Sequence, residues 1–559
     1  MSGGAPHGTV RAMNLSETAA PAGSALTSAH WPADTSAPLL PTTIGSILRA
    51  AAAAAPGRTA LVDGNPDPEH RRDWTYAELL ATAERAARAL LARFSPGEPV
   101  AVWSANSPEW LVTEFAAGLA GLVLVPVNPA YQSEELAHVL AHSRARGIIM
   151  ADQYRANDLA EILASVRDRL PDLREVIRMA DWDAFLASGD DGTELPDVDP
   201  ASPAQVLFTS GTTGRPKAAV LTHRGLTNNT RLSWATVGLP AGGVGVNPLP
   251  LFHVAGGGMI ALGLVQYGWT QILPPHFDPG LMLELTETYR CTLLGGVPTM
   301  LHAVLAHPTF GKRDLSSVRL GICGGALAPA SLVREFEERL GVPLLITFAQ
   351  TESSCSITVT RPSDTPADRA ETIGRPLPQA EVRIASVGGG ETVAFGAVGE
   401  ICVRGYTVMD GYLGDRAATS AAIDDGGWLR TGDLGSMDER GYLRIVGRVK
   451  EMIIRGGENI YPREIEEVLL SHPAVAQVAV VGVPSTFWGE EVGAVICPAT
   501  DAASALAPAP EELRAYCQQR LAGFKVPAYW LFTDTFPLTA TGKVRKDVLS
   551  ARFTGRDPR

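Results

Sequence analysis

Apolar residues at positions 76, 79, 80, 83, 87, 90, 91 and 94 recur at three- and four-residue intervals, which predicts a helix with one buried face. Thr75-Tyr76-Ala77-Glu78 has the spacing of a capping box and marks its start. The apolar run Pro99-Val100-Ala101-Val102-Trp103 reads as a buried strand, followed by a helix over 109–120 and a strand over 122–127. A helix over 133–143 and a strand over 147–150 come next, and Val206-Leu207-Phe208 reads as another short buried strand. Helices alternating with strands predict a parallel sheet covered on both faces. After residue 380 strands become frequent (382–385, 399–404, 442–447) and turns tight and glycine-rich. From Glu451 a small α+β unit is predicted: helices over 463–471 and 511–521, strands over 476–483 and 492–498, and an Ala/Pro-rich loop over 499–510. No internal repeat is visible.

A chain of 559 residues exceeds what one core supports, so two domains are expected. We place residues 41–449 in a large N-terminal domain and 450–559 in a C-terminal one. Residues 1–40, rich in Ala, Ser, Thr, Pro and Gly, read as a disordered leader, within which Met13 offers a second start. The net charge of −13 argues against nucleic acid or an anionic membrane surface as the main partner. The six cysteines lack metal-ligand spacing and read as reduced thiols of a cytoplasmic protein. Residues 232–277 contain no Asp, Glu, Lys or Arg, yet the most apolar piece spans only twelve residues (254–265). A membrane-spanning helix needs about twenty. The segment therefore reads as deep interior, fit to wall an apolar pocket.

Chemistry concentrates in a few clusters. Thr209-Ser210-Gly211-Thr212-Thr213-Gly214-Arg215-Pro216-Lys217 leaves a strand with hydroxyls, glycines and a lysine. Glycines let several N–H groups converge on one anion, hydroxyls add donors, and Lys217 adds positive charge. Pro216 stands where a Walker A loop has its second glycine, so this is a different phosphate loop. Glu352, just after a strand-like 344–347, suits Mg²⁺ beside substrate phosphates. Asp433 can accept both ribose hydroxyls. Arg448 and Lys450 form a charged junction at the domain boundary, and Lys543 follows Thr541-Gly542 on a loop where it could offset phosphoryl charge. Each cluster alone has an ordinary reading as turn, cap or solvated charge.

Together, and in this order, the clusters resemble the adenylate-forming superfamily: acyl-CoA synthetases, 4-coumarate–CoA ligases, luciferase and peptide-synthetase adenylation domains. The resemblance runs from about residue 43 to 550, and is dense in Tyr412–Lys450 and in Ile454-Arg455-Gly456-Gly457-Glu458-Asn459-Ile460-Tyr461-Pro462-Arg463-Glu464-Ile465-Glu466. It implies an α/β fold: a large N-terminal domain with αβαβα-type sheets and a β-rich subdomain, plus a small mobile α+β C-terminal domain. It implies that Thr209, Ser210, Gly211, Thr212, Thr213, Gly214 and Lys217 hold the ATP phosphates, and that Gly324, Gly325, Ala326 and Phe348 form the adenine slot. The family usually has Tyr-Gly where this chain has Phe348-Ala349, so ring stacking survives and the phenol hydroxyl is lost. Thr351 falls near the α-phosphate, Glu352 on Mg²⁺, Asp433 and Arg448 on ribose. Lys543 is the adenylation lysine, Lys450 the hinge of the small domain, and Gly456 and Gly457 line the CoA tunnel.

The reaction so implied has two steps: a carboxylate is adenylated by ATP, and the CoA thiol then displaces AMP. His253, in Pro250-Leu251-Phe252-His253-Val254, stands where amino-acid-activating relatives carry an aspartate for the substrate amine. An uncharged histidine cannot pair with an amine, so His253 and Val297 are expected in an acyl pocket for a medium- or long-chain fatty acid. An aryl or branched acid, and transfer to a carrier protein in place of CoA, remain alternatives; no insertion of the kind common in fatty acyl-AMP ligases precedes the C-terminal domain. The expected partners are the acid, ATP and CoA, with no nucleic acid, no integral membrane segment, and room for a homodimer.

Overall fold

The computed structural model describes residues 26–209, 216–238, 240–499, 508–537 and 544–553. The chain forms two compact units, the first from residues 1–383, 402–430 and 439–443, the second from 384–401, 431–438 and 444–559.

Two large sheets organise the first unit. One has seven strands in the order Gly411–Tyr412, Lys217–Thr222, Pro203–Thr209, Val123–Val127, Pro99–Trp103, Gly147–Met150 and Glu175–Arg178. The expected parallel pairing holds across its middle, where Val100 lies between Leu124 and Gly147. At one side the sheet turns antiparallel: Pro203–Thr209 runs against Lys217–Thr222, with Thr209 opposite Lys217. The phosphate motif therefore bridges two antiparallel neighbours of one sheet, where the alternation pattern alone suggested a wholly parallel one. The second sheet has nine strands in the order Arg375–Pro376, Cys355–Val359, Leu344–Gln350, Leu320–Cys323, Leu293–Gly296, Val244–Val246, Thr270–Leu273, Thr59–Asp63 and Asp73–Thr75.

The local signals were sound. Thr75 and Glu78 close the capping box at the start of helix Tyr76–Leu91. Ser107 caps helix Pro108–Ala120, and Gly121 ends it at φ 68°, in the left-handed region that favours glycine. Helix Ser133–Ser143 buries Leu136, Ala137, Val139 and Leu140 against Val125, Val206 and Ala218 of the seven-stranded sheet.

Most of the described part of the uncharged stretch is interior, as expected. Helix His223–Val237 is buried along nearly its whole length. Residues Val254–Leu262 form a π-helix, which no periodicity had signalled. Two neighbours occupy its carbonyls: Asn247 Nδ2 donates to Gly256 O at 3.0 Å and Trp234 Nε1 to Met259 O at 3.0 Å. Its glycines permit close packing, since a Cβ on Gly256 would fall 2.2 Å from Pro250 O. Among the described residues no helix is long and apolar enough to cross a membrane.

The expectation of a disordered leader fails for its last third. His30–Trp31 pairs with Val382 and Arg383 of strand Ala380–Ala385, and Ala29, Trp31 and Ala37 are buried. Trp31 supplies enough apolar surface to dock a segment whose composition otherwise suggests disorder. Residues 1–25 lie outside the described ones.

In the second unit, a sheet ordered Glu458–Ile460, Ile453–Arg455, Gly489–Pro498, Val475–Ser485 carries Tyr529–Phe532 beside Gly489–Pro498. Helices Pro462–Leu470 and Pro510–Gln518 contribute Ile465, Leu469, Leu513 and Cys517 to a core with Ile453, Val480 and Val492. Leu549 and Phe553 join Val481, Val483 and Val495 in a second cluster. The six cysteines are all free, and all but Cys497 are buried.

Candidate active site

Four adjacent strands of the nine-stranded sheet run parallel: Val244–Val246, Leu293–Gly296, Leu320–Cys323 and Leu344–Gln350. Their carboxyl ends therefore open on one side of the sheet, where α/β folds place ligands. The residues that follow them are, in order, the His253 segment, Val297, Gly324–Ala326, and Thr351–Glu352. Sequence separations of up to a hundred residues collapse into one rim.

The rim is built of close contacts. Gly324 lies so near Thr347 that a Cβ would approach its Cγ2 to 2.5 Å, so a side chain there would displace the neighbouring strand. Gly325 has φ 76°, and a Cβ on it would stand 3.1 Å from Val297 Cγ1. The proposed adenine slot and the proposed acyl pocket are thus immediate neighbours. Gly325 and Ala326 are exposed, while the Phe348 ring is buried. A bulge between Phe348 and Ala349 re-aims the strand end, and Ser354 (φ 51°) and Cys355 (φ 111°) then reverse the chain. His253 begins the π-helix: its carbonyl accepts from Gly256 N and Gly257 N at 3.0 Å, and its ring packs on Phe252 at 4.6 Å.

The two sheets of this unit meet at Glu352. Its Oε1 lies 3.4 Å from Thr209 Oγ1 and accepts from the Tyr412 hydroxyl at 2.8 Å. Lys217 Nζ stands 4.8 Å above the Tyr412 ring, a cation–π arrangement. Burial and the Glu352 carboxylate hold the Tyr412 hydroxyl well above its ordinary range, so it stays protonated and keeps donating. Thr209, Lys217, Glu352 and Tyr412 thus form one cluster. Tyr412 was not among the sequence-derived site residues; a tyrosine within a recognised motif carries no sign of the carboxylate it will meet 60 residues away. Ser210, Gly211, Thr212, Thr213 and Gly214 lie outside the described residues.

The second unit carries its own set. Asp433, on strand Leu429–Met437, is 4 % exposed, and Arg448 Nε, at the end of strand Leu443–Arg448, donates to its Oδ1 at 2.9 Å. The two ribose candidates are therefore in direct contact. Lys450 lies in a short 3₁₀ turn, Val449–Glu451. Gly456 and Gly457 are the two-residue turn of a hairpin in which Arg455 faces Glu458. Their φ values of 59° and 91° are of the kind such turns require. Gly456 N–H also donates to Trp488 O at 2.8 Å. Lys543 lies outside the described residues.

Hard oxygen donors at a strand end suit Mg²⁺, and the Glu352 carboxylate beside the Thr209 hydroxyl provides them. Among the described residues no three His, Cys, Asp or Glu side chains cluster as a self-sufficient metal cage. A single carboxylate that shares magnesium with phosphates and water agrees with both facts.

Comparison with known proteins accords with this geometry. Residues 48–413 match the family model of the AMP-binding enzymes and residues 464–543 that of the AMP-binding enzyme C-terminal domain. The chain is 40% identical over 539 residues to "Putative acyl-CoA synthetase YngI" of Bacillus subtilis (strain 168), covering 91% of this chain and 97% of that protein. It is 36% identical to the mitochondrial medium-chain acyl-CoA ligase ACSF2 of Rattus norvegicus, covering 90% of this chain and 86% of that one. The fold matches the crystal structure of the anthranilate CoA ligase AuaEII in complex with anthranoyl-AMP with a TM-score of 0.83 at 25% identity, over 93% of this chain and 98% of that one. The chain belongs to the AMP-binding enzymes of the adenylate-forming superfamily, and within them to the acyl-CoA synthetases, the AMP-forming acid–thiol ligases.

Proposed function

We propose that the protein converts a medium-chain fatty acid to its CoA thioester through an acyl-adenylate. The observation that carries the choice of acid is the rim itself: Val297 abuts Gly325, and the uncharged, buried π-helix Val254–Leu262 begins at His253. That surface offers an alkyl chain apolar contact. The ACSF2 relative, a medium-chain acyl-CoA ligase by name, supports the length. The similarity to an anthranilate CoA ligase favours an aryl acid as the second reading.

In the first half-reaction the carboxylate oxygen attacks the α-phosphorus of ATP and pyrophosphate leaves. Thr209, Lys217 and the residues between them hold the departing phosphates, and Gly324–Ala326 with Phe348 hold the adenine. Thr351 and Lys543 offset the charge that develops on the α-phosphoryl oxygens. Glu352, with Thr209 beside it, would hold a magnesium ion that neutralises phosphate charge. In our reading Tyr412 keeps the Glu352 carboxylate oriented, and Asp433 accepts the ribose hydroxyls while Arg448 steadies it. In the second half-reaction the CoA sulfur attacks the acyl carbonyl and AMP leaves. Gly456 and Gly457 line the pantetheine path, and Lys450 is the hinge that exchanges one half-reaction for the other.

The test is a panel of carboxylic acids from acetate to palmitate, with benzoate, anthranilate and coumarate, assayed for AMP release with and without CoA. We expect a maximum between about eight and twelve carbons, the chain range that an apolar pocket discriminates by roughly 1 kcal/mol per methylene. A maximum at an aryl acid would replace the fatty acid in this reading; AMP release that ignores CoA would move the acceptor to a carrier protein.

A further inference from the structure

We propose that His138 and His142 are positioning residues that clamp the two shoulders of the phosphate loop, so that nucleotide affinity depends on them. This rests on the reading of Thr209–Lys217 as the ATP-phosphate loop. The histidines stand one turn apart on helix Ser133–Ser143, with their rings stacked at 5.6 Å and 26°. Both rings sit edge-on to Phe208, at 6.1 and 6.0 Å, and Phe208 is the residue before Thr209, where the loop departs. His138 Nε2 lies 3.3 Å from the carbonyl oxygen of Pro216, the residue before Lys217, where the loop returns. His142 Nε2 lies 3.0 Å from the carbonyl oxygen of Leu413. Leu413 N–H in turn donates to Ala218 O at 2.8 Å, and its neighbour Tyr412 holds Glu352.

Two imidazoles therefore touch the departing shoulder, the returning shoulder and Leu413, the residue just after the strand whose Tyr412 orients the proposed magnesium ligand. A carbonyl oxygen only accepts, so each Nε2 must carry a proton and donate. Both donors being spent on carbonyls, with no third His, Cys, Asp or Glu completing a cluster among the described residues, the pair is not arranged as a metal site. Nor is it core: His142 is exposed and His138 half-buried, while Leu136, Ala137, Val139 and Leu140 seat the helix. Removing the imidazoles leaves that seating in place and frees the loop's anchors.

The experiment compares wild-type protein with His138→Ala, His142→Ala, the double variant and His138→Gln. Glutamine keeps an amide N–H that can reach the Pro216 carbonyl. Calorimetry with Mg-ATP in the absence of acid should show affinity weakened about tenfold in the double variant, the effect of losing one to two neutral hydrogen bonds, and largely restored in His138→Gln. In steady state KM for ATP should rise while KM for the acid and CoA transfer from a supplied acyl-adenylate stay at wild-type values. A merely structural role would raise both KM values and slow CoA transfer together, and that result would overturn the proposal, as would unchanged ATP affinity in the double variant. Wild-type protein that binds no ATP would instead overturn the adenylation reading on which the proposal rests.

Discussion

Glu114 is 1 % exposed, in the middle of helix Pro108–Ala120, and Glu114→Gln should remove a pH dependence of stability. Gln205 Nε2 donates to its Oε1 at 2.7 Å, and among the described residues Oε2 has no hydrogen-bond partner. A Cβ on Gly257 would stand 3.3 Å from Oε1, so the carboxyl lies directly under the π-helix. Burial pushes the carboxyl from its ordinary 4.5 up to about 8, opposed by the Gln205 hydrogen bond. Below pH 4.5 the group is protonated both folded and unfolded and adds no pH dependence. Between 4.5 and 8 the unfolded chain ionises it and the folded one does not, so stability falls as pH rises; above 8 the loss is complete. At about 1.4 kcal/mol per pH unit, that window sets an upper bound of about 5 kcal/mol. Glutamine keeps the acceptor for Gln205 and cannot ionise. Its extra amide N–H adds an offset of roughly 1–3 kcal/mol that is the same at every pH. The assay is the urea midpoint of both proteins from pH 5 to 9. The variant should gain on the wild type steadily up to pH 8 and then run parallel to it. A difference that stays constant across this range would refute the reasoning, because it would mean that Glu114 ionises in the fold as it does in water.

Lys543→Ala should abolish acid-dependent pyrophosphate release while sparing CoA transfer from supplied acyl-adenylate; equal loss of both would remove Lys543 from its role. Glu352→Gln should weaken Mg-ATP binding, read by calorimetry with and without magnesium, and an unchanged magnesium dependence would argue against Glu352 as ligand. Gly456→Ala should destabilise the second unit by about 1–2 kcal/mol, since alanine is strained in the left-handed region. Its Cβ would also meet the Trp488 ring at 2.7 Å, so CoA transfer should suffer more than adenylation; normal transfer would take this turn off the CoA path.

Much of the fold was legible because short-range physics dictated it. The capping box at Thr75, strand Pro99–Trp103 and helix Ser133–Ser143 were each readable within a dozen residues. Strand order was not, since the crossovers that set Leu344–Gln350 beside Leu320–Cys323 leave no local mark. The site divides the same way. Motif residues such as Thr209 and Glu352 stood out by type, and the structure brings these two together. Their partners did not stand out: Tyr412 on Glu352, His138 on Pro216 and Gln205 on Glu114 all join residues 60 or more apart. The π-helix was hidden for another reason: an uncharged, glycine-rich run has no face to reveal its period. Residues 26–40 were misread because composition averages away the single Trp31 that anchors them.

The most direct measurement is mass spectrometry of purified protein incubated with dodecanoate, Mg-ATP and no CoA. The account predicts an acyl-adenylate on the protein with one pyrophosphate released for each, converted to acyl-CoA and AMP when CoA is added. Formation of ADP and phosphate, or thioester without an adenylated intermediate, would contradict it.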